Sequence, residues 1–209
     1  MTQQKHRLAL ITAGAIASLM VGFTLTPTFA AIVASIQNTT NTASTGTLTM
    51  KESSGSANCN SFDSNTTNTA SCATINKYGG TTKALTPGGA PTVTDITIQN
   101  TGNITATGFT LTPGTCTSSN AAGASYSGNG DLCEKVKVTI TSNGTGIFNG
   151  TAKQFQNGGQ INLLQKLTKA GINANESVPI KFSVSLDASA DAIYQGRQIS
   201  QPITWTFNG

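Results

Sequence analysis

The chain has 209 residues, of which 10% are charged, with 22 glycines and a formal net charge of +4. So few charges exclude an ordinary disordered chain, which combines high net charge with few β-branched residues. Abundant Thr, Val and Ile favour strands and abundant Gly and Asn favour the turns between them, so the composition reads as one all-β domain.

The chain opens with a leader. Lys5, His6 and Arg7 make a basic start, Leu8 to Leu25 form an uncharged, mostly apolar run, and Thr28-Phe29-Ala30 supply small residues for cleavage between Ala30 and Ala31. Residues 1–30 are therefore expected to be a signal peptide, meeting a signal peptidase during export and touching membrane only until cleavage. An uncleaved anchor is the competing reading, because about 18 apolar residues approach the length that spans a bilayer. Against it, Pro27 and the small residues break the run where a peptidase needs extended chain. Removing Lys5 and Arg7 leaves ten basic residues against eight acidic ones, a net charge of +2. The basic residues are scattered, and nucleic-acid recognition needs a concentrated basic face, so no nucleic-acid partner is expected.

Residues 31–44 follow, with Ile32, Val33 and Ile36 ahead of a Thr/Asn stretch and before any clear strand. From residue 45 to 209 the β signals come in succession. "TGTLTMKES" alternates, with Leu48 and Met50 on one face. "TVTDITIQN" continues through Val93, Ile96 and Ile98 with a slip of register, and Phe109 and Leu111 carry the next strand. "EKVKVTITSNG" sets Val136, Val138 and Ile140 against Lys135, Lys137 and Thr139. "GGQINLLQKLTKAGI" spaces Ile161, Leu164, Leu167 and Ala170 as a short helix, with Gly171 as its stop. "SVPIKFSVSLD" lines up Val178, Ile180, Phe182, Val184 and Leu186, and "RQISQPITWTFNG" closes with Ile199, Ile203, Trp205 and Phe207. Pro202 cannot donate to a ladder and needs an edge, a bulge or a strand start. Seven or more strands with one apolar face each predict an antiparallel sandwich, immunoglobulin-like or jelly-roll-like, with one short helix.

Four cysteines, Cys59, Cys72, Cys116 and Cys133, lie beyond the leader. An even count in an exported chain points to disulfides. Three connectivities are open. The local pairs Cys59–Cys72 and Cys116–Cys133 are favoured because each staples a Ser/Asn/Gly-rich loop with too little apolar content to order itself. Closing a loop of about 15 residues is worth roughly 3 kcal/mol in the chain-entropy view. A four-cysteine zinc site would want paired C-x₂₋₄-C spacings, which the sequence lacks.

The only histidine is His6, in the leader. That removes Ser-His and Cys-His nucleophile systems and the H-E-x-x-H zinc helix. Asp187 and Asp191 in "LDASADA" and Asp131 in "GNGD" read as turn carboxylates, since their spacing does not match a calcium loop. A glycosidase carboxylate pair forms in space and is not readable from sequence, yet nothing points to one. No catalytic residue, metal ligand or cofactor is expected. Trp205 with Tyr78, Tyr126 and Tyr194 offers a sugar-stacking platform, against the commoner role of a strand Trp in a core. Sequons at Asn38, Asn65, Asn103, Asn143, Asn149 and Asn175 arise readily in a Thr/Asn-rich chain and matter only where the host glycosylates them.

The leader followed by "NTASTGTLTMKES" resembles the start of the TasA/camelysin family of secreted biofilm-matrix proteins. There a SipW-type signal peptidase frees a short segment ahead of a "TFASGTLDL"-like strand, whose place Thr42 to Leu48 take here. The ending "VSLDASADAIYQGRQISQPITWTFNG" is similar to the family's Asp/Ala turn, Tyr-Gln-Gly and last strand rich in Thr and aromatics. These two ends carry the resemblance, while the middle agrees only in being β-rich. The junction "TPTFAAIVAS" departs from the family's "YAYFSD"-like one.

The resemblance implies a jelly-roll-like domain over 45–209 and a homopolymeric fibre in the extracellular matrix or at the cell surface, with accessory matrix proteins as further partners. In such fibres the N-terminal segment of one subunit, here 31–44, pairs as a donor strand with its neighbour's sheet. Ile32, Val33 and Ile36 would then find burial only next door. Camelysin-type members have been described as metalloproteases, an activity with no histidine here to carry it. A monomeric adhesion or carbohydrate-binding module is the alternative function, and a tail that frays or docks on its own domain is the alternative reading of 31–44.

Overall fold

The computed structural model describes residues 42–63, 67–80 and 84–209. The chain divides into two units, Met1–Ser44 and Thr45–Gly209. The first is described only at residues 42–44. The leader, the junction Ala30–Ala31 and the donor residues Ile32, Val33 and Ile36 therefore lie outside the described residues. The second unit is mostly β, with antiparallel sheets and two short helices.

Its strands are β1 (Met50–Ser54), β2 (Ala57–Asn60), β3 (Thr92–Asn100), β4 (Gly108–Pro113), β5 (Thr117–Asn120) and β6 (Val136–Ser142). They continue with β7 (Thr145–Thr151), β8 (Ile161–Asn162), β9 (Ser177–Leu186), β10 (Arg197–Ser200) and β11 (Ile203–Asn208). Helix α1 (Ala152–Gly158) precedes β8 and α2 (Leu163–Leu167) follows it. One sheet has six strands in the order β2-β1-β3-β9-β6-β7; the others are β11-β4-β8 and β10-β5. The last two continue one another, since β4 leads to β5 and β10 to β11, with Arg197 opposite Asn120 at one end and Asn208 opposite Gly108 at the other. The ladder is interrupted where Pro202 brings no N–H. Gly114 donates to the Pro202 carbonyl at 2.7 Å across the break, and Pro202 stands just ahead of a strand start.

Period-two alternation builds the core. Val136, Val138 and Ile140 of β6 and Val178, Ile180, Phe182 and Val184 of β9 are buried with Ile96 and Ile98 of β3 and Phe109 and Leu111 of β4 in one cluster. The register slip in β3 is a parity change: Ile96, Ile98 and Asn100 face in, which leaves Val93 50% exposed. Asn100 is satisfied at the core's rim, its Nδ2 donating to the carbonyls of Ile104 (2.8 Å) and Ile172 (2.9 Å) and its Oδ1 accepting from the Gly102 amide.

Two helices stand where the sequence reading expects one. The expected helix is shorter than its apolar spacing suggests, because Ile161 and Asn162 pair with β4 and Thr168 turns left-handed at φ 53°. It therefore ends before Ala170 and Gly171. The additional helix, α1, carries a full capping box between Thr151 and Gln154, and it buries Phe155 with its ring 4.7 Å from that of Phe148. Both local disulfides are present, Cys59–Cys72 and Cys116–Cys133, with Cα–Cα distances of 6.2 and 6.1 Å.

Candidate functional site

A groove of about 910 Å³ runs along β10, lined by every residue from Gly196 to Ile203. Its floor is apolar: Val136 of β6, Val184 and Leu186 of β9, and Leu132 from the 3-10 turn Leu132–Glu134. Its outer wall is the segment Cys72–Tyr78 together with Leu85. Strand β10 pairs with β5, and among the described residues no strand pairs with its other edge. Alternate residues of an antiparallel strand aim their N–H and C=O groups to opposite sides, so this edge presents unpaired main-chain groups along the groove.

The wall is held by side chains. Strand β1 continues the inward series Leu48, Met50 with Glu52, which puts a carboxylate where an apolar residue is expected. Lys77 Nζ answers it at 2.7 Å, with both side chains about one-tenth exposed, and Trp205 Nε1 donates to the same oxygen at 3.1 Å. A buried charge without a partner is strongly destabilising, so Glu52 fixes Lys77 in place. Two residues before it, Ile75 joins the core. One residue after it, the Tyr78 hydroxyl donates to Gln201 Oε1 at 2.6 Å, while Gln201 Nε2 donates to the carbonyls of Gly114 and Ala152. Burial raises the Tyr78 pKa well above its ordinary value, keeping the hydroxyl neutral and a donor.

The chain enters β10 through Tyr194-Gln195-Gly196. Asp191 caps the 3-10 turn Ala192–Tyr194 by accepting from the Ile193 amide, and Lys135 Nζ lies 5.7 Å from the centre of the Tyr194 ring. Gly196 has φ +61°, and a Cβ there would collide with the Tyr126 carbonyl oxygen. A glycine is required at that point for both reasons.

The other residues singled out from sequence have local duties. Asp187 bonds Lys137 Nζ at 2.9 Å and the Ser189 amide and hydroxyl, which hold its carboxyl well below the usual carboxylate range. Asp131 caps the turn before Cys133. Trp205 packs against Phe109 (6.1 Å) and Phe182 (6.3 Å) and faces the core, whereas Tyr126 is exposed and Tyr78 and Tyr194 line the groove. The sequon residues Asn103, Asn143, Asn149 and Asn175 are exposed, and Asn38 and Asn65 lie outside the described residues. Among the described residues no cluster of three or more His, Cys, Asp or Glu is placed to hold a metal, and no helix is long and apolar enough to cross a membrane.

Sequence reading missed Glu52, Lys77, Leu85 and Gln201 as site residues. Only Glu52 carried a signal, a charge at an inward position. No protein-family model matches the chain, and no curated protein matches it significantly. An apolar floor beside an unpaired strand edge suits an extended peptide, with the edge supplying main-chain hydrogen bonds and the floor supplying side-chain pockets.

Proposed function

We propose that the chain is a secreted structural subunit of an extracellular fibre of the TasA/camelysin kind. Its domain is read as a jelly-roll-like sandwich that follows a signal peptide. Copies join when residues 31–44 of one add as a strand to β10 of the next. The observation that carries this reading is the open edge of β10 lying along a groove with an apolar floor. Among the described residues β2, β5, β7, β8 and β11 are also outer strands, of which β8 has two residues and β2 is tied by Cys59; β10 is preferred to the rest because its whole length lines the groove. The two disulfides agree with an oxidising destination.

The donor's alternation suits an edge beside an apolar floor. As a strand, residues 32–36 put Ile32, Ala34 and Ile36 on one face and Val33 and Ser35 on the other. Five residues span about 17 Å, against about 13 Å for the four residues of β10. Burying Ile32 and Ile36 against the floor contributes roughly 3–6 kcal/mol gross, before ordering costs. A head-to-tail contact of this type does not close on itself and builds a filament. Deleting Ala31 to Asn41 from the mature chain is expected to give a folded monomer that forms no fibres in electron micrographs. Fibres from the truncated chain would overturn the reading.

A further inference from the structure

We infer that the Cys59–Cys72 disulfide licenses the β10 groove. In the oxidised protein the outer wall is held in the shape that captures a strand; in the reduced protein it is not. Assembly thereby waits for an oxidising compartment. The inference rests on the reading of the groove as a strand acceptor and adds its regulation.

Cys72 lines the groove and begins its wall. Among the described residues of 72–80, the one main-chain bond outside regular elements is local, from the Gly79 amide to the Asn76 carbonyl. This stretch of the wall therefore hangs on side chains, Ile75 in the core, Lys77 on Glu52 and Tyr78 on Gln201, and on the covalent tie to Cys59, whereas the chain just after Leu85 is bridged to β9 through Pro87 and Leu186. In the β1–β2 ladder Cys59 stands directly opposite Glu52. The disulfide and the ion pair thus fasten the wall to the same rung, and each helps to position the other. Without the covalent tie the chain ahead of the wall is still held at Asn68, whose Nδ2 donates to the Leu48 carbonyl and whose Oδ1 accepts from Ser61 Oγ. The incoming strand then has more of the wall's N-terminal end to order, a cost that a pre-ordered site avoids.

The two disulfides differ in access. Cys116 and Cys133 are 6% and 0% exposed in the core, whereas Cys59 and Cys72 are half-buried at the periphery. Exchange needs a thiolate to reach a sulfur, so a dithiol reductant opens the peripheral pair first. One thiolate of the reductant attacks a sulfur of Cys59–Cys72, forming a mixed disulfide and releasing the other cysteine as thiolate. The second thiolate of the reductant then closes its own ring, releasing the second cysteine. Two electrons and two protons pass to the protein, and an oxidised dithiol reverses the exchange.

The test uses the full mature chain and a labelled peptide of residues 31–41 as probe. Oxidised wild type is expected to incorporate the peptide and form fibres. Cys59→Ser/Cys72→Ser, with an unchanged circular dichroism spectrum, is expected to bind the peptide about tenfold more weakly or worse and to stay monomeric. Should that variant fail to fold, wild type under mild dithiol decides instead, with mass mapping of alkylated thiols to show Cys116–Cys133 intact; binding is expected to fall and to return on reoxidation. Equal capture by oxidised and selectively reduced protein overturns the licence and leaves the groove reading standing. Failure of the oxidised wild type to capture the peptide removes the groove reading, and the licence with it.

Discussion

β10 and β11 are successive stretches of one ribbon, paired to β5 and β4, yet they meet opposite surroundings. The side chains of β11 are used up by its own fold, although among the described residues its outer edge is unpaired like that of β10: Phe207 packs edge-on to Phe109 at 4.8 Å, and Trp205 sits between Phe109 and Phe182. β10, two residues upstream, turns Ile199 toward a groove of about 910 Å³ with an apolar floor. Protein interiors are otherwise close-packed. The same ladder thus serves stability at one end and, on our reading, recognition at the other, with Gln201 and Pro202 as the divide.

The comparison breaks most visibly at Trp205. Trp205→Ala empties the filled end and takes a donor from Glu52, so it should cost about 3–5 kcal/mol in denaturant unfolding. Ile199→Ser at the other end should change stability by no more than about 1 kcal/mol while abolishing polymer. Equal destabilisation by the two would mean that the ends do not differ as described. Lys77→Met leaves the Glu52 carboxylate buried beside Trp205 without its countercharge, and should lower stability by about 3 kcal/mol. Gly196→Ala forces a side chain into a left-handed position against the Tyr126 carbonyl. A loss of about 1–3 kcal/mol is expected, together with weaker assembly, because the turn aims β10.

The smallest effect is a pH dependence at Tyr78. Its folded pKa is raised by burial, so the folded state holds the proton more tightly than the unfolded chain. The stability this contributes is complete below the unfolded value near 10 and is lost as pH rises beyond it. Melting temperatures taken upward from pH 9 should fall more steeply for wild type than for Tyr78→Phe. Parallel curves would show that the buried hydroxyl is not what the alkaline limb reports.

Local patterns carried the fold into the sequence. Strands β6 and β9 were legible because Val136-Val138-Ile140 and Val178-Ile180-Phe182-Val184 alternate without a break, and the disulfides because the loops they close have little else to order them. Val93 misled, since Thr94 and not Val93 shares the parity of Ile96 and Ile98. Helix α1 was legible in principle, for Thr151-x-x-Gln154 is a capping signal, but a helix of seven residues buries only Ala152 and Phe155 and leaves little periodicity. The groove was not legible: it joins residues near 75, 85, 132, 185 and 200, a proximity set by strand order, which local sequence does not encode. Glu52 was its one trace.

Amide hydrogen exchange on fibres and on the unassembled mature chain tests strand addition most directly. The amides of β10 that face away from β5 should exchange quickly in the monomer and slowly in the fibre, while β11 stays equally protected in both. β10 amides that exchange alike in the two states would contradict the capture of a neighbour's strand at this edge.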